Sequence, residues 1–316
     1  MKRPVLLLTW FLLLSGASHK SWGAPPAPPA FTFAVVSDVH LALDKLKNAF
    51  ADVAASKTGT MVVVGDSCDG QEHEYRAIKS VLATTPHPDN LFFTMGNHEY
   101  YASYHKDGGE YDETGFPNGE TSAGCRARFN HFRGVGPDAP VYYDVWVGGY
   151  HFIFLAGERS RMDDASHLDA AVLTKPQLDW LEATIRDQAS PGKPIFVFLH
   201  QPFPNTVSGS KNDTSIVQAR ELQTILSRYP QTLYFSGHTH WQLDMPTTHY
   251  TNRSYAINLF NTSSLRDPYN EKDEPIPRNL SEGLWVQVLP GKVIVRGRDF
   301  LRHAFIKGQS YTVRMH

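Results

Sequence analysis

Cysteine is scarce in this chain of 316 residues, which contains only Cys68 and Cys125. Two cysteines exclude a disulfide-rich scaffold and a four-cysteine zinc site, because both need more thiols. Two alternatives stay open for the pair. They form one disulfide, which an exported protein would retain, or they are two free buried thiols.

The chain also lacks an excess of charge of either sign. Lys and Arg number 30 against 32 Asp and Glu, which gives a formal net charge of -2. Nucleic-acid-binding proteins usually carry a basic face, so this balance gives no sign of a nucleic-acid-binding surface. Hydrophobic residues make up 41% of the sequence, which argues against a disordered chain. The length allows one large α/β domain or two small ones.

No stable membrane span is expected, because a spanning helix needs roughly 20 apolar residues. The apolar segment 5–14 is shorter, follows a basic start and precedes small residues. This order predicts a cleavable signal peptide over residues 1–17, and therefore a secreted or periplasmic protein. The proline-rich residues 18–30 predict a stiff linker, which leaves 31–316 as the expected folded domain.

After the linker, short apolar runs alternate with helical patterns, which is typical of stacked β-α units. Strands are predicted at 31–37, 61–64, 91–95, 195–199 and 233–236, and a closing β-hairpin at 284–296. The stretch from 100 to about 140 is polar and rich in glycine and tyrosine, so it is interpreted as an insertion loop. The sequence contains no internal repeat, and one α/β domain is expected.

Five predicted strands end in side chains that can bind metal. These side chains are Asp38 with His40, Asp66, Asn97 with His98 and Glu99, His200, and His238 with His240. Ligand sites of open α/β sheets lie outside the carboxyl ends of the strands, so the five loops are expected to converge. Each motif alone has an ordinary interpretation, because a lone histidine is more often a packed side chain and Gly-Asp more often a turn. Only the complete set of five motifs, in this order along the chain, is specific for a metal site.

The series Asp-x-His, Gly-Asp, Gly-Asn-His-Glu, His and Gly-His-x-His resembles the motifs of the calcineurin-like metallophosphoesterases, in the order of that family. The resemblance covers residues 31 to about 300. It implies an α/β fold in which two mixed β-sheets form a four-layer sandwich with flanking helices. It also implies a dinuclear metal site at the carboxyl-terminal ends of the strands.

The resemblance also assigns metal ligands, position by position. The implied ligands are Asp38, His40 and His240 for the first metal, Asn97, His200 and His238 for the second, and Asp66 as the carboxylate that bridges both. A shared anionic ligand offsets the repulsion between two cations, and mixed oxygen and imidazole donors suit Mn, Fe or Zn better than Ca or Mg. Two divalent or trivalent metal ions are therefore the expected cofactors.

In the family, a hydroxide that bridges the two metals attacks phosphorus, and the resemblance implies the same chemistry here. His98 is expected to act as the general acid that protonates the leaving group, and its alternative role is to orient Asn97 or Asp38. Glu99 is expected to support the ligands without binding metal. Asp69 stands where purple acid phosphatases of this superfamily place a metal-binding tyrosine, so an iron-tyrosinate centre is not expected.

The expected function is an exported phosphodiesterase, with a phosphomonoesterase of the acid phosphatase or nucleotidase type as the alternative. A remote alternative is a metal-binding scaffold without activity, which is disfavoured because every ligand position is filled. The expected substrate is a small-molecule or lipid-headgroup phosphate ester. Segments 100–140, 203–215 and 262–283 are expected to form the pocket rim. The aromatic residues of the first segment either wall this pocket or pack their loop onto the body.

Overall fold

The computed structural model describes residues 31–56, 58–106, 109–211 and 214–315. The predicted signal peptide and linker, residues 1–30, lie outside the described residues. The described residues form an α/β structure with two six-stranded sheets, each of which contains parallel and antiparallel neighbours. The fold class that the resemblance implied is therefore correct.

The elements are named in chain order. The strands are β1 (Phe31–Val36), β2 (Thr60–Val64), β3 (Asn90–Thr94), β4 (Tyr143–Val147), β5 (Tyr150–Phe154), β6 (Ile195–Phe198), β7 (Thr232–Ser236), β8 (His249–Tyr250), β9 (Asn258–Asn261), β10 (Glu282–Leu289), β11 (Lys292–Asp299) and β12 (Ala304–Arg314). The helices are α1 (Leu43–Ala55), α2 (Glu72–Thr84), α3 (Ser122–Arg133), α4 (Lys175–Arg186) and α5 (Ala219–Leu226), and the chain forms short 3-10 helices at His98–Tyr104, Glu113–Gly115 and Ala165–His167.

The first sheet has the order β12-β11-β10-β1-β2-β3, so strands from both ends of the fold lie side by side. The second sheet has the order β4-β5-β6-β7-β9-β8. The strands β1, β2 and β3 run parallel, and so do β5, β6, β7 and β9. Each sheet therefore presents several carboxyl ends at one edge, where connecting loops can carry a site.

The two sheets pack face to face through an aromatic layer. Phe33 of β1 meets Phe152 and Phe196 of the second sheet at ring-centroid distances of 4.9 and 4.7 Å, both edge to face. Alternate residues of β1 face opposite sides, because Phe33 and Val35 join this inner layer while Ala34 joins the layer under the helices. Burial of Phe33 and Val35 contributes about 1.5–3 kcal/mol for each side chain.

Helices cover the outer face of each sheet and complete the four layers. Phe50 of α1, Ile78 of α2 and Phe129 of α3 are fully buried in the core cluster of the first sheet. Leu181 of α4 and Leu222 of α5 are fully buried in the cluster of the second sheet. Within the part of the chain that the structure describes, no helix combines the length and the apolar content needed to cross a bilayer.

The prediction of an insertion loop over 100–140 is wrong for α3. Thr121 caps this helix by accepting a hydrogen bond from Gly124 N–H at 3.0 Å, and Gly134 ends it with a φ of 79°. Cys125 and Phe129 stand one turn apart on its buried face. This spacing of four residues is typical of a helix, but the segment was interpreted as a loop because its composition is polar and rich in glycine.

Both cysteines are free and buried in the same hydrophobic cluster. Burial raises the pKa of the Cys125 thiol to about 12, so this side chain is protonated at neutral pH. Of the two alternatives for the pair, the structure contains the free thiols.

Candidate metal centre

The predicted site residues follow strands of both sheets at the edge where the carboxyl ends of those strands lie. Asp38, Asp66 and Asn97 come after β1, β2 and β3 of the first sheet. His200 and His238 come after β6 and β7 of the second. The backbone N–H of His238 donates to an Asp38 carboxylate oxygen at 3.1 Å, so the loops of the two sheets are in direct contact.

Left-handed backbone conformations are concentrated among the predicted ligands. Positive φ angles occur at Asp38 (53°), His40 (40°), Asp66 (52°), His238 (73°) and His240 (58°). For residues with a Cβ such conformations cost on the order of 1–3 kcal/mol each, and they cluster at functional sites. The turns are held by backbone hydrogen bonds between the first two loops, from His40 N–H to Asp66 O at 2.9 Å and from Asp38 N–H to Gly65 O at 3.2 Å.

Two motif glycines make room for the carboxylates. A Cβ on Gly96 would overlap the Asp66 side chain, and a Cβ on Gly237 would overlap the Asp38 side chain. Any larger residue at either position would therefore displace a carboxylate. This close approach explains why glycine stands directly before Asn97 and His238 in the sequence.

The first cluster contains Asp38, His40 and His240, whose possible ligand atoms all lie within 4.8 Å of one another. His240 Nε2 is 3.1 Å from Asp38 Oδ1 and 3.1 Å from His40 Nε2. The Nδ1 of His240 is engaged with the backbone carbonyl of Asp267 at 3.1 Å, which turns its Nε2 toward the cluster. One carboxylate oxygen and imidazole nitrogens thus converge on one point.

The second cluster contains Asp66, His200 and His238, again with ligand atoms within 4.8 Å of one another. His200 Nδ1 donates to the Val64 carbonyl at 2.7 Å, so Nε2 is the nitrogen that faces the cluster. His200 Nε2 approaches Asp66 Oδ2 to 2.9 Å, but it is not oriented for a hydrogen bond with that oxygen. A cation between these two atoms would satisfy both.

Asp66 reaches both clusters. Its Oδ2 is 2.9 Å from His200 Nε2 and 4.0 Å from His40 Nε2. Asp38 Oδ1 also stands between the clusters, at 3.1 Å from His240 Nε2 and 3.7 Å from His200 Nε2. Both carboxylates therefore lie between the two clusters, and Asp66 is the one predicted to bridge.

The charge states of the site suit metal binding. Although burial opposes it, the nearby His240 and His200 lower the pKa of Asp38 to about 2. Burial and neighbouring imidazoles lower the pKa of His40 to about 3 and that of His238 to about 4, so both rings are neutral at pH 7. Asp66 and Asp38 outweigh burial and raise the pKa of His200 to about 10, where a bound cation would replace the proton.

Buried nitrogens without a hydrogen-bond partner also fit a metal site. Among the described residues, His40 Nδ1, His200 Nε2 and His238 Nε2 are buried in this state. Such an atom costs about 1–3 kcal/mol when nothing satisfies it. His200 Nε2 lies 2.9 Å from Asp66 Oδ2, and His40 faces its own cluster through Nε2, so the imidazole and carboxylate donors present fit a pair of metal ions.

Asn97 follows β3 and lies beside Gln201. Its side chain is 8% exposed, and its Oδ1 accepts a hydrogen bond of 3.4 Å from Gln201, which directly follows His200. The next residue, His98, donates its backbone N–H to Asp66 Oδ1 at 2.9 Å, which holds this loop against the bridging position. No role was predicted for Gln201 from the sequence.

Glu99 is fully buried next to the loops that carry Asp66 and Gly96. Its carboxylate accepts the backbone N–H groups of Ser67 at 2.7 Å, of Asp66 at 3.1 Å and of Gly96 at 2.6 Å. Burial and the nearby Asp66 raise its pKa to about 7, against the effect of these donors. One carboxyl group therefore holds the backbone of two motif loops.

His98 lies beside the first cluster. Its ring is edge-on to His40 with 4.4 Å between ring centroids, and its Nδ1 lies 2.8 Å from Asp69 Oδ1. Although burial opposes it, Asp66 and Asp69 raise the pKa of His98. The carboxylate therefore favours the protonated imidazole, which is the form that a general acid needs.

The structure adds Asp69 and His105 to this group. The second oxygen of Asp69 lies 3.2 Å from His105 Nε2, so one carboxylate joins two histidines. From the sequence, Asp69 served only to exclude an iron-tyrosinate centre, and no role was predicted for His105. Only the spacing of seven residues from His98 links His105 to the motif in sequence, and that spacing places it just past the end of the His98–Tyr104 helix.

Several solved structures share this fold. A dimetal phosphatase from Danio rerio matches with a TM-score of 0.63 and 13% identity, over 91% of this chain and 100% of the other. A purple acid phosphatase from yellow lupin (Lupinus luteus) seeds matches with a TM-score of 0.59 and 12% identity, over 90% of this chain and 55% of the other. An anchor protein of the Plasmodium inner membrane complex gives a TM-score of 0.52 and 14% identity, over 90% and 88%.

A search of curated protein sequences finds no significant match. The family model of the calcineurin-like phosphoesterases, in contrast, matches residues 31–242. This span contains the five motifs, from Asp38 to His240, and it makes up more than half of the chain. The chain belongs to the calcineurin-like phosphoesterase family.

Proposed function

We propose that the protein is an exported, dinuclear-metal phosphoesterase that hydrolyses phosphate esters and favours phosphodiesters. One observation carries this proposal, namely two adjacent clusters of buried carboxylate and imidazole donors, each with its ligand atoms within 4.8 Å. A single structural ion pair would need neither the second cluster nor the buried nitrogens without partners.

The proposed ligands divide between the two clusters. They are Asp38, His40 and His240 on one side, Asn97, His200 and His238 on the other, and Asp66 in contact with both. Mixed carboxylate, amide and imidazole donors suit Mn, Fe or Zn. Bound in pairs, such ions polarise phosphoryl oxygens and make water a stronger nucleophile near neutral pH.

The remaining chemistry belongs to His98. Asp69 holds Nδ1 at 2.8 Å, which leaves Nε2 as the nitrogen available to a substrate. An alkoxide is a poor leaving group, and a proton delivered to it from Nε2 contributes roughly 10²–10⁴-fold in rate. This proton serves phosphodiesters of aliphatic alcohols, the first candidate, and phosphomonoesters, the second candidate, alike.

The first test combines metal analysis with hydrolysis. Protein loaded with Mn²⁺ is expected to contain two ions per chain and to hydrolyse bis(p-nitrophenyl) phosphate faster than p-nitrophenyl phosphate. Asp66→Asn is expected to lose metal and activity together, because it removes the charge in contact with both clusters. Asp144→Asn is the matched control, since Asp144 pairs with His151 at 2.9 Å on β4 and β5.

Full activity of Asp66→Asn would overturn the two-metal proposal. A preference for the monoester would keep the proposal of a phosphoesterase but would make phosphomonoesters, and not phosphodiesters, its favoured substrates. Export is tested separately, by expressing the chain with its own N-terminus and sequencing the N-terminus of the exported product. Cleavage after residue 17 is expected, and retention of the intact chain inside the cell would contradict export.

A further inference from the structure

A positively charged surface lies on the last two strands of the first sheet. Residues 291–316 contain six Lys and Arg and a single acidic residue, Asp299, whereas acidic residues outnumber basic ones in the rest of the chain. The formal net charge of the whole chain is only -2, so this excess of positive charge is local. It distinguishes β11 and β12 from the remaining surface of the protein.

Four of these cations and one aromatic ring share a side of the sheet. The opposed pairs of the antiparallel ladder include Arg298 with Phe305, Arg296 with Ser310, and Lys292 with Arg314. Residues directly opposite each other in such a pair point to the same side. Between the cations of β11, Val293 and Val295 are buried in the layer between the sheets, so the cations lie on the outer side. The outer surface formed by Lys292, Arg296, Arg298, Phe305 and Arg314 is the basic face.

The helices of the first sheet leave the basic face open. The core cluster under α1, α2 and α3 takes side chains from β1, β2, β3 and β10, and among the described residues it takes none from β11 or β12. Lys292 and Arg314 are exposed, while Arg296 and Arg298 are half-buried. The outer side of these two strands is therefore available to a partner.

Most of the positive charge of the basic face is uncompensated. Arg298 pairs with Asp52 of α1 at 2.5 Å, but in the described part of the chain Lys292, Arg296 and Arg314 form no ion pair. Burial and the neighbouring Arg298 lower the pKa of Arg296. Lys292 and Arg314 lie directly opposite each other, and like charges in that arrangement cost stability.

Protection of a sheet edge does not explain this arrangement. Cations on an edge strand prevent pairing with other chains, and for that purpose they need to lie on β12, the edge strand of this sheet. Three of the four cations of the basic face lie on β11 instead, which is paired on both sides. The arrangement therefore fits an anionic partner from outside the chain.

Phe305 adds an apolar group to the basic face. The guanidinium carbons of Arg296 and Arg298 lie 3.7 and 4.7 Å from the centroid of its ring, as in cation–π contacts. The ring is held by these contacts and still leaves 41% of its surface exposed. Surfaces that bind membranes combine cations with an exposed apolar side chain in this way. A soluble polyanion would need the cations but not the ring.

The basic face lies near the metal centre. Strand β12 is three places from β1 in the sheet, which is about 14 Å. Phe305 lies opposite Arg298, near the end of β11 that pairs with the first residue of β10. Because β10 runs antiparallel to β1, this is the edge of the sheet at which Asp38 follows β1. A partner bound to the basic face would therefore lie close to the metal centre.

We propose that the basic face binds the surface of a bilayer that contains anionic lipids. Lys and Arg side chains are attracted to such a surface, and an exposed aromatic ring enters its interfacial region. The inference goes beyond the proposed function and does not depend on it. If the metal centre hydrolyses phosphodiesters, the bound protein would meet phospholipid headgroups, which are phosphodiesters.

Sedimentation with lipid vesicles tests the inference. The Mn²⁺-loaded protein, freed of unbound metal, is expected to sediment with phosphatidylcholine vesicles that contain about one third phosphatidylglycerol, and to stay in solution with phosphatidylcholine alone. Because salt screens the attraction between charges, about 0.5 M salt is expected to release the protein. Asp66→Asn is expected to bind the same vesicles as the wild-type protein, which separates the basic face from a lipid held at the metal centre.

Variants locate the binding surface. Lys292→Gln combined with Arg314→Gln is expected to lower the vesicle partition coefficient about 20–30-fold, because each cation at an anionic surface contributes about fivefold. Its hydrolysis of bis(p-nitrophenyl) phosphate is expected to stay unchanged. The matched control is Arg220→Gln combined with Arg253→Gln, which removes two exposed cations beside the second sheet. Phe305→Ser is expected to weaken binding several-fold without a change in charge. Circular dichroism of each variant checks that the fold is kept.

The outcomes separate the two proposals. Equal sedimentation with both kinds of vesicle, or with neither, overturns the inference. An equal loss in the control variant overturns the location, because net charge would then explain the binding. Binding that Phe305→Ser leaves unchanged overturns the bilayer in favour of a soluble polyanion, and a loss in Asp66→Asn transfers the binding to the metal centre. Vesicle binding that depends on Lys292 and Arg314, in a protein that hydrolyses no phosphate ester, retains the inference and removes the proposed function.

Discussion

Asp69 Oδ1 lies 2.8 Å from Nδ1 of His98, and the same carboxylate binds a second histidine, His105, through its other oxygen. The pair orients the imidazole next to the first metal cluster. It also favours the tautomer with the proton on Nδ1, because a carboxylate accepts that proton and Nε2 then carries none. Asp69, which excluded an iron-tyrosinate centre, thus orients His98 in the structure.

Replacing Asp69 by Asn is expected to lower kcat for alkyl phosphate esters by roughly 10²-fold, and to affect nitrophenyl esters much less. Asn has the size of Asp but lacks the charge, and Asp69 is among the groups that raise the pKa of His98. The protonated imidazole is then lost at lower pH, so the alkaline limb of the pH-rate profile moves to lower pH. An equal loss on both ester types would show that His98 does not act as an acid.

His105 is expected to act through Asp69. His105→Phe leaves one Asp69 oxygen without its 3.2 Å partner, and a few-fold decrease in kcat with little change in KM is expected. His105→Gln keeps an N–H donor and is expected to restore most of the rate. Equal loss in both variants would mean that His105 serves only to pack its loop.

Glu99→Gln is expected to weaken metal binding by about 10–100-fold, as measured by competition with a chelator. The amide keeps one acceptor oxygen and places an NH₂ group against backbone N–H donors that lie 2.6–3.1 Å from the native carboxylate. The loops of Asp66 and Gly96 would then separate. Glu72→Gln, an exposed change at the start of α2, is the control.

Removal of metal is expected to lower the melting temperature by about 5–10 °C, because a ligand at 100 times its dissociation constant stabilises the native state by about 2.7 kcal/mol. Without cations the buried Asp38 and Asp66 repel each other. Differential scanning calorimetry with and without a chelator measures the difference. Asp66→Asn is expected to melt at one temperature in both conditions, and a chelator effect in that variant would point to another metal site.

Glu282 provides a pH dependence away from the metal ligands. Burial raises its pKa to about 7 from the ordinary 4.5, so the folded state binds a proton that the unfolded state releases between these pH values. The free energy of unfolding of the metal-free protein is therefore expected to fall by about 3 kcal/mol across that range through this group alone. Urea unfolding of Glu282→Gln at pH 5 and pH 8 is expected to lack this contribution, and Glu221→Gln to retain it.

The strands and the motifs at their ends could be predicted because their signals are local. Residues 31–37 and 61–64 are apolar runs closed by Asp38 and Asp66, and the structure places β1 and β2 there within one residue. The order of the five motifs along the chain also predicted which loops come together, which could not be predicted from any single motif.

The contacts made by polar side chains across the fold could not be predicted. His105, Gln201 and Asp169 carry no motif, and their roles depend on loops that the chain brings together only after folding. β12 was missed for a related reason, since most of its residues are exposed and its pattern is weakly apolar. The strand is instead stabilised by its antiparallel pairing with β11, which the sequence pattern does not indicate.

The aromatic layer between the sheets has a consequence for the proposed site. Asp38 and Asp66 follow strands of one sheet, and His200 and His238 follow strands of the other. Cations bound between them would therefore link the two sheets. A slide of one sheet over the other by a fraction of the ligand spacing would open both clusters at once. The rings of Phe33 and Phe196 lie 4.7 Å apart between centroids. A substitution that weakens this contact is therefore expected to lower the affinity for metal before it unfolds any strand.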